Sequence, residues 1–183
     1  MATGDRGLTE FTVKEATNLI AQRKVIRVTP TLSIGSPTAY QSGDPMFSNV
    51  EIPNAVLYPG GASLLYGVSM FNKDNEDIIH HLILHQTSGE VLGTVNPGSG
   101  SVDISDSNFA ALNFLSYIQF AAADIHLVST LSYGHATPTA DTMPIMLQAD
   151  AGSTSVYFGV VMRDTPTLAS TTDVTWIFHI EYK

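Results

Sequence analysis

The sequence contains no cysteine, which excludes disulfide cross-links and thiolate metal sites and leaves the redox compartment undetermined. Charge is scarce as well: only 14% of the 183 residues are Asp, Glu, Lys or Arg, against roughly 25% in an average globular protein. No apolar run approaches the ~20 residues that a membrane helix needs, and the opening Met1–Phe11 stretch lacks the apolar centre of a signal peptide. A soluble chain made in the cytosol is expected. Catalytic signatures are missing too: no glycine-rich phosphate loop ends in Lys-Ser or Lys-Thr, no Gly-x-Ser-x-Gly elbow orders a triad, and no Glu follows His81 as the zinc-protease motif requires. Neither an enzyme nor a cofactor is expected.

What is present is apolar and acidic. Hydrophobic residues make up 44% of the chain, enough for one domain with a substantial core and with apolar surface left for a partner to cover. Homo-oligomerisation supplies such cover most economically. The net charge of −9 is unevenly spread: residues 1–27 hold five basic and three acidic residues, whereas residues 28–183 hold three basic and 14 acidic. A mildly basic arm thus precedes an acidic body with nothing to neutralise phosphates, so nucleic acid is not an expected partner. The arm's Arg6, Arg23, Lys24 and Arg27 are candidate contacts for an acidic protein surface, the alternative being a solvated terminus.

Alternation and turn signals indicate a β-rich body, 28–183, behind an arm or short helix, 1–27. Thr12 and Glu15 have capping-box spacing, which predicts a short helix over 13–23, with an arm that orders on a partner as the alternative. Val25–Leu32 reads as a strand, and Ser33–Asn54 as an irregular connection anchored by Tyr40, Met46 and Phe47. Ala62–Phe71 and Ile78–His85 read as one hairpin, with Gly67 marking a bulge or a close backbone approach. Val91–Val95 is a short strand, Ser107–Leu112 a helical turn, and Phe114–Phe120, Asp124–Tyr133 and Val174–Tyr182 further strands. Ile145–Gln148 and Ser155–Met162 read as a second hairpin across a small polar link in which Gly152 can supply a positive φ. Its second strand is apolar on both faces and needs two covers, one from the opposing sheet and one from a neighbouring subunit. The expected fold is mainly β: an antiparallel β-sandwich or jelly-roll-like barrel with one or two short helices and an N-terminal arm.

His80, His81 and His85 form the densest cluster of potential ligands. On a strand His81 and His85 share a face while His80 points away, and two imidazoles fall short of the three or four ligands of a usual zinc site. They are read as half-buried or interfacial side chains. Asp74, Glu76 and Asp77 lack EF-hand spacing and read as a solvated turn. Tyr133, Tyr157 and Trp176 have the chemistry of a sugar-stacking platform, with core or interface packing as the competing reading.

Several short pieces, in this order, resemble small virion structural proteins of tailed bacteriophages, the capsid decoration or cement type found in marine and freshwater phages. They are Val28–Leu32 (VTPTL), Tyr40–Asp44 (YQSGD), Glu51–Ala55 (EIPNA), Gly60–Leu65 (GGASLL), Leu92–Thr94 (LGT), Ile104–Asn108 (ISDSN), Ala151–Tyr157 (AGSTSVY) and Arg163–Thr167 (RDTPT). The sequence departs from the pattern at Arg163–Pro166 and in the His-rich strand. The resemblance implies a non-enzymatic virion protein on the outer capsid surface, assembled in the host cytoplasm. It would form a homo-oligomer, a trimer ahead of a dimer, and bind the major capsid protein. Tyr40, Phe47, His81, His85, Tyr157 and Arg163 join the arm's cations as expected contact residues. The alternative is a tail, baseplate or receptor-binding module that recognises host glycans.

Overall fold

The computed structural model describes residues 23–32, 39–89, 92, 93, 95, 106–136 and 144–183. Ten strands follow one another: β1 (Arg23–Val28), β2 (Pro45–Ile52), β3 (Ala62–Asn72), β4 (His80–His85), β5 (Phe114–Phe120), β6 (Ile125–Val128), β7 (Leu131–Ala136), β8 (Ile145–Gln148), β9 (Val156–Met162) and β10 (Val174–Tyr182). A short helix, α1 (Asp106–Ala111), precedes β5, and a single 3-10 turn (Ala122–Asp124) precedes β6.

The strands form two antiparallel sheets packed as a sandwich, with no closed barrel. One sheet has the order β1-β10-β3-β7-β6, with β8 beside the first half of β3; the other has the order β2-β9-β4-β5. The pairs β1 with β10, β2 with β9, β3 with β7 and β8, and β4 with β5 are those made when one long hairpin is wrapped into a jelly roll.

This wrapping overturns both expected hairpins. β3 and β4 lie in different sheets, as do β8 and β9, because in a wrapped fold a strand's partner comes from the far end of the chain. Buried Asn72 turns the chain between the first two: its amide donates to the Glu76 carbonyl at 3.3 Å, and its Oδ1 accepts from the Asp74 N–H at 3.1 Å. The β8–β9 link is held across the sandwich by the Pro59-Gly60-Gly61 turn, through Ala149 N–H to Gly61 O at 3.1 Å and Gly60 N–H to Ser153 O at 3.0 Å. Positive φ falls on Gly60 (+71°), and Gly152 does not need it. A tight hairpin forms instead at β6–β7, splitting the segment expected to be the single strand Asp124–Tyr133, and Ser129 at φ +57° makes its turn.

The core lies between the sheets. Inward-facing Trp176 and Phe178 of β10 meet Phe158 of β9 and Phe47 of β2 edge to face, with ring centroids 5.0–5.9 Å apart. Such pairs add roughly 0.5–1.5 kcal/mol each beyond their area burial. Two further expectations shift. Arg23–Arg27 belongs to β1, paired residue for residue with β10, so these five residues of the expected arm are part of the sandwich. A strand, β2, occupies the supposedly irregular connection. Register shifts between Pro45 and Phe47 and between Phe47 and Val50 break its two-residue period, which is why alternation did not reveal it. The predicted helix over 13–23 lies, apart from Arg23, outside the described residues. The Val91–Val95 strand does not form where it is described: Leu92, Gly93 and Val95 belong to no strand, because Leu92 turns in to pack with Leu112.

Candidate functional site

The space between the sheets is filled by the core, so it is on their outer faces that the strands present side chains to a partner. The four-stranded sheet presents His81, Ile83 and His85 of β4 beside Val161, Gly159 and Tyr157 of β9, as the register requires. The chain itself covers the middle of that face: Leu92 and Leu112, both fully buried, pack with Val161 and Ile83 in a second, smaller core. The second cover expected from a neighbouring subunit is therefore intramolecular, supplied by the β4–β5 connection.

Around this cover lie four of the expected contact residues, of which His85 is fully buried and presents no side-chain surface to a partner, while His81 and Tyr157 are half-buried. His85 stacks on Tyr157 with centroids 6.1 Å apart, and its Nδ1–H donates to the Thr87 carbonyl at 3.1 Å. His81 leans on exposed Tyr117 at 5.8 Å, and burial, reinforced by the Arg163 guanidinium, lowers its pKa. Arg163 is exposed, with its backbone N–H bonded to the Ile79 carbonyl at 2.8 Å. The remaining candidates separate. Tyr40 and Phe47 are core residues, 2% and 5% exposed, and present no side-chain surface to a partner; burial, and then Asp44, push the Tyr40 hydroxyl up to about 12. Arg6 lies outside the described residues.

His80 is also a core residue. Its Nδ1–H donates to the Ile78 carbonyl at 2.6 Å, its Nε2 accepts from the Trp176 indole N–H at 3.2 Å, and its ring stacks on Phe120 at 4.6 Å. Both ring nitrogens are thus satisfied in the neutral form, and burial lowers its pKa to about 4. Among the described residues no group of three His, Cys, Asp or Glu side chains is placed to hold a metal ion.

The six-stranded sheet has the more open outer face. Val25, Tyr66, Tyr133 and Met146 are 61%, 41%, 45% and 60% exposed, and the half-buried Phe71 and Ile177 lie among them. Tyr66 is thrust outward by a bulge where β10 shifts register between His179 and Ile180. Gly67 beside it permits a close approach, since a Cβ there would sit 3.3 Å from the His135 ring. Ser69 Oγ lies 2.9 Å from His135 Nδ1 and 3.2 Å from His179 Nε2, joining β7, β3 and β10. Burial, together with His135, lowers the His179 pKa. One hydroxyl shared between two imidazoles is not a poised nucleophile, and neither ring bonds a carboxylate among the described residues. Sequence reading missed this face, although its signal was visible in the alternation of Ser69, Phe71, Ile177 and His179 with apolar core positions.

Along one edge of the same face run Arg23 and Arg27 of β1, with Lys24 between them turned to the other side of the strand. Arg23 Nε is 3.6 Å from a Glu181 carboxylate oxygen, and the Lys24 ammonium sits 5.9 Å from the centre of the Tyr182 ring. Two depressions open here. One, of about 340 Å³, is bordered by Arg23, Lys24, Val25, Tyr66 and Glu181; the other, of about 490 Å³, by Arg27, Phe71, Lys73 and Ile177. Compared with known proteins, the chain matches no family model, and no curated protein is significantly similar to it. Within the described residues no helix is long and apolar enough to cross a membrane.

Proposed function

We propose that this chain is a non-enzymatic virion structural protein of a tailed bacteriophage, a decoration or cement protein that oligomerises, as a trimer ahead of a dimer, and binds the major capsid protein on the outside of the head. The observation that carries the reading is the outer face of the six-stranded sheet. It leaves Tyr66, Tyr133, Val25 and Met146 exposed in a chain with little charge, as an interaction surface does and a free monomer's surface rarely does. The ordered series of short pieces from Val28 to Thr167 that resembles phage decoration proteins supports the same reading, and the jelly-roll wrapping is compatible with it by analogy of fold alone.

The test is cosedimentation of the purified protein with undecorated capsids. Saturable binding is expected, and deletion of residues 1–22, which precede β1, should weaken it while the described sandwich stays folded. No binding under conditions that reconstitute other head proteins rejects the reading, and full affinity after the deletion rejects the arm's share. Exposed tyrosines favour a second reading, a tail or receptor-binding module in which Tyr66 and Tyr133 stack on host sugars. Binding on a glycan array that is lost in Tyr133→Ala would favour it over the first.

A further inference from the structure

We propose that the β1–β10 margin of the six-stranded sheet is a docking groove for an extended, acidic segment of a partner protein, with carboxylates four residues apart and an apolar side chain midway between them. The basis is where the cations lie. The whole chain carries eight Lys and Arg against 17 Asp and Glu, yet Arg23, Arg27 and Lys73 border the two depressions of this one face, with Lys24 at the edge of the first. An acidic molecule that gathers its few cations on one margin attracts an acidic partner there and repels it elsewhere. Each depression pairs cations with an apolar floor: Val25 and Tyr66 at one end, Phe71 and Ile177 at the other.

Spacing defines the ligand. Arg23 and Arg27 stand four residues apart on an extended strand, roughly 13 Å at ~3.3 Å per residue. An extended segment lying over them repeats that spacing, so its residues i and i+4 reach the two arginines while residue i+2 meets Val25, with His179 opposite it. Glu181 occupies the groove in the absence of a partner: it takes Arg23 at 3.6 Å and Lys183 at 3.0 Å, and Lys183 and Arg23 hold its carboxyl below the usual range. It is the internal competitor that an incoming carboxylate displaces. This single carboxylate and the apolar floors favour a peptide over a nucleic acid, which would want an unbroken cationic stripe. The groove's chemistry does not depend on which assembly the partner belongs to, so its test needs no capsid.

The probe is a fluorescein-labelled peptide with the repeat Glu-Thr-Val-Thr-Glu, titrated into the full-length protein by fluorescence anisotropy at low and at physiological salt. Controls are a scrambled peptide with adjacent glutamates, a Lys-for-Glu peptide and a single-stranded oligonucleotide. Expected is salt-sensitive binding of the patterned peptide. It should weaken by about tenfold or more in the Arg23→Glu, Arg27→Glu double variant, strengthen by a few fold in Glu181→Gln, and stay unchanged in Arg163→Glu on the other sheet. The gain in Glu181→Gln is an effect that mere unfolding cannot produce. The proposal is overturned by no binding at millimolar peptide, or by equal binding of the scrambled peptide or the Lys-for-Glu peptide. It is equally overturned by tighter binding of the oligonucleotide, or by severalfold tighter peptide binding once residues 1–22 are deleted, which would make the chain's own N-terminal segment the occupant.

Discussion

Acidification should reach the core of this protein through His80. The ring is fully buried, donates from Nδ1 to the Ile78 carbonyl and accepts the Trp176 indole proton at Nε2, so protonation would place an N–H against an N–H in an apolar interior. Burial, only partly opposed by the Ile78 carbonyl, lowers the pKa from 6.5 to about 4. A histidine whose folded pKa is depressed is protonated first in the unfolded chain. Its stabilising contribution is therefore complete above about pH 6.5 and is lost as pH falls toward 4, where it levels off. At about 1.4 kcal/mol per pKa unit, the loss across that window is about 3 kcal/mol, a large share of the total stability of a typical domain. Urea unfolding at pH 7, 5.5 and 4, followed by emission of the chain's one tryptophan, Trp176, in wild type and His80→Gln, measures it. Carboxylates titrate in both proteins and cancel in the comparison. The variant should be the weaker at pH 7 and the gap should shrink by about 3 kcal/mol by pH 4. A gap independent of pH would refute the reasoning.

Three further outcomes follow from the packing. Leu112→Ala, which opens the cover over Val161 and Ile83, should cost about 2–4 kcal/mol in thermal or urea unfolding and raise binding of a hydrophobic dye. Gly60→Ala should cost about 1–2 kcal/mol, since φ is +71° and the new Cβ meets the Ala151 backbone at 3.3 Å. Gly152→Ala, with open space and no positive φ, should change melting by less than about 1 kcal/mol in either direction, and a loss as large as that at Gly60 would contradict the turn assignment.

Individual elements were more legible than their pairing. β10 coincides with the expected Val174–Tyr182 strand because Trp176, Phe178 and Ile180 alternate cleanly with outward residues, and β5 with Phe114–Phe120. α1 differs from the expected helical turn by a single residue at each end. The two hairpins failed for one shared reason: a turn signal shows that the chain reverses, whereas the opposing sheet decides where it pairs, and buried Asn72 and the Gly60–Ser153 bond send these reversals across the sandwich. β2 stayed hidden behind Pro45 and two register shifts. In the candidate site, strand period correctly put His81 and His85 on one face and His80 on the other. That Leu92 and Leu112 would return to cover that face depends on a long-range contact that local pattern does not carry. Tyr40 and Phe47 are the buried anchors that the 33–54 connection called for, and that burial removes them as partner contacts.

The central claim is the place of this protein on a phage head, and imaging intact particles that carry it with a small label tests that claim most directly. The account predicts label in symmetric positions on the outer surface of the capsid, in clusters that match the oligomer. Label confined to the tail or baseplate, or missing from purified particles, would contradict it.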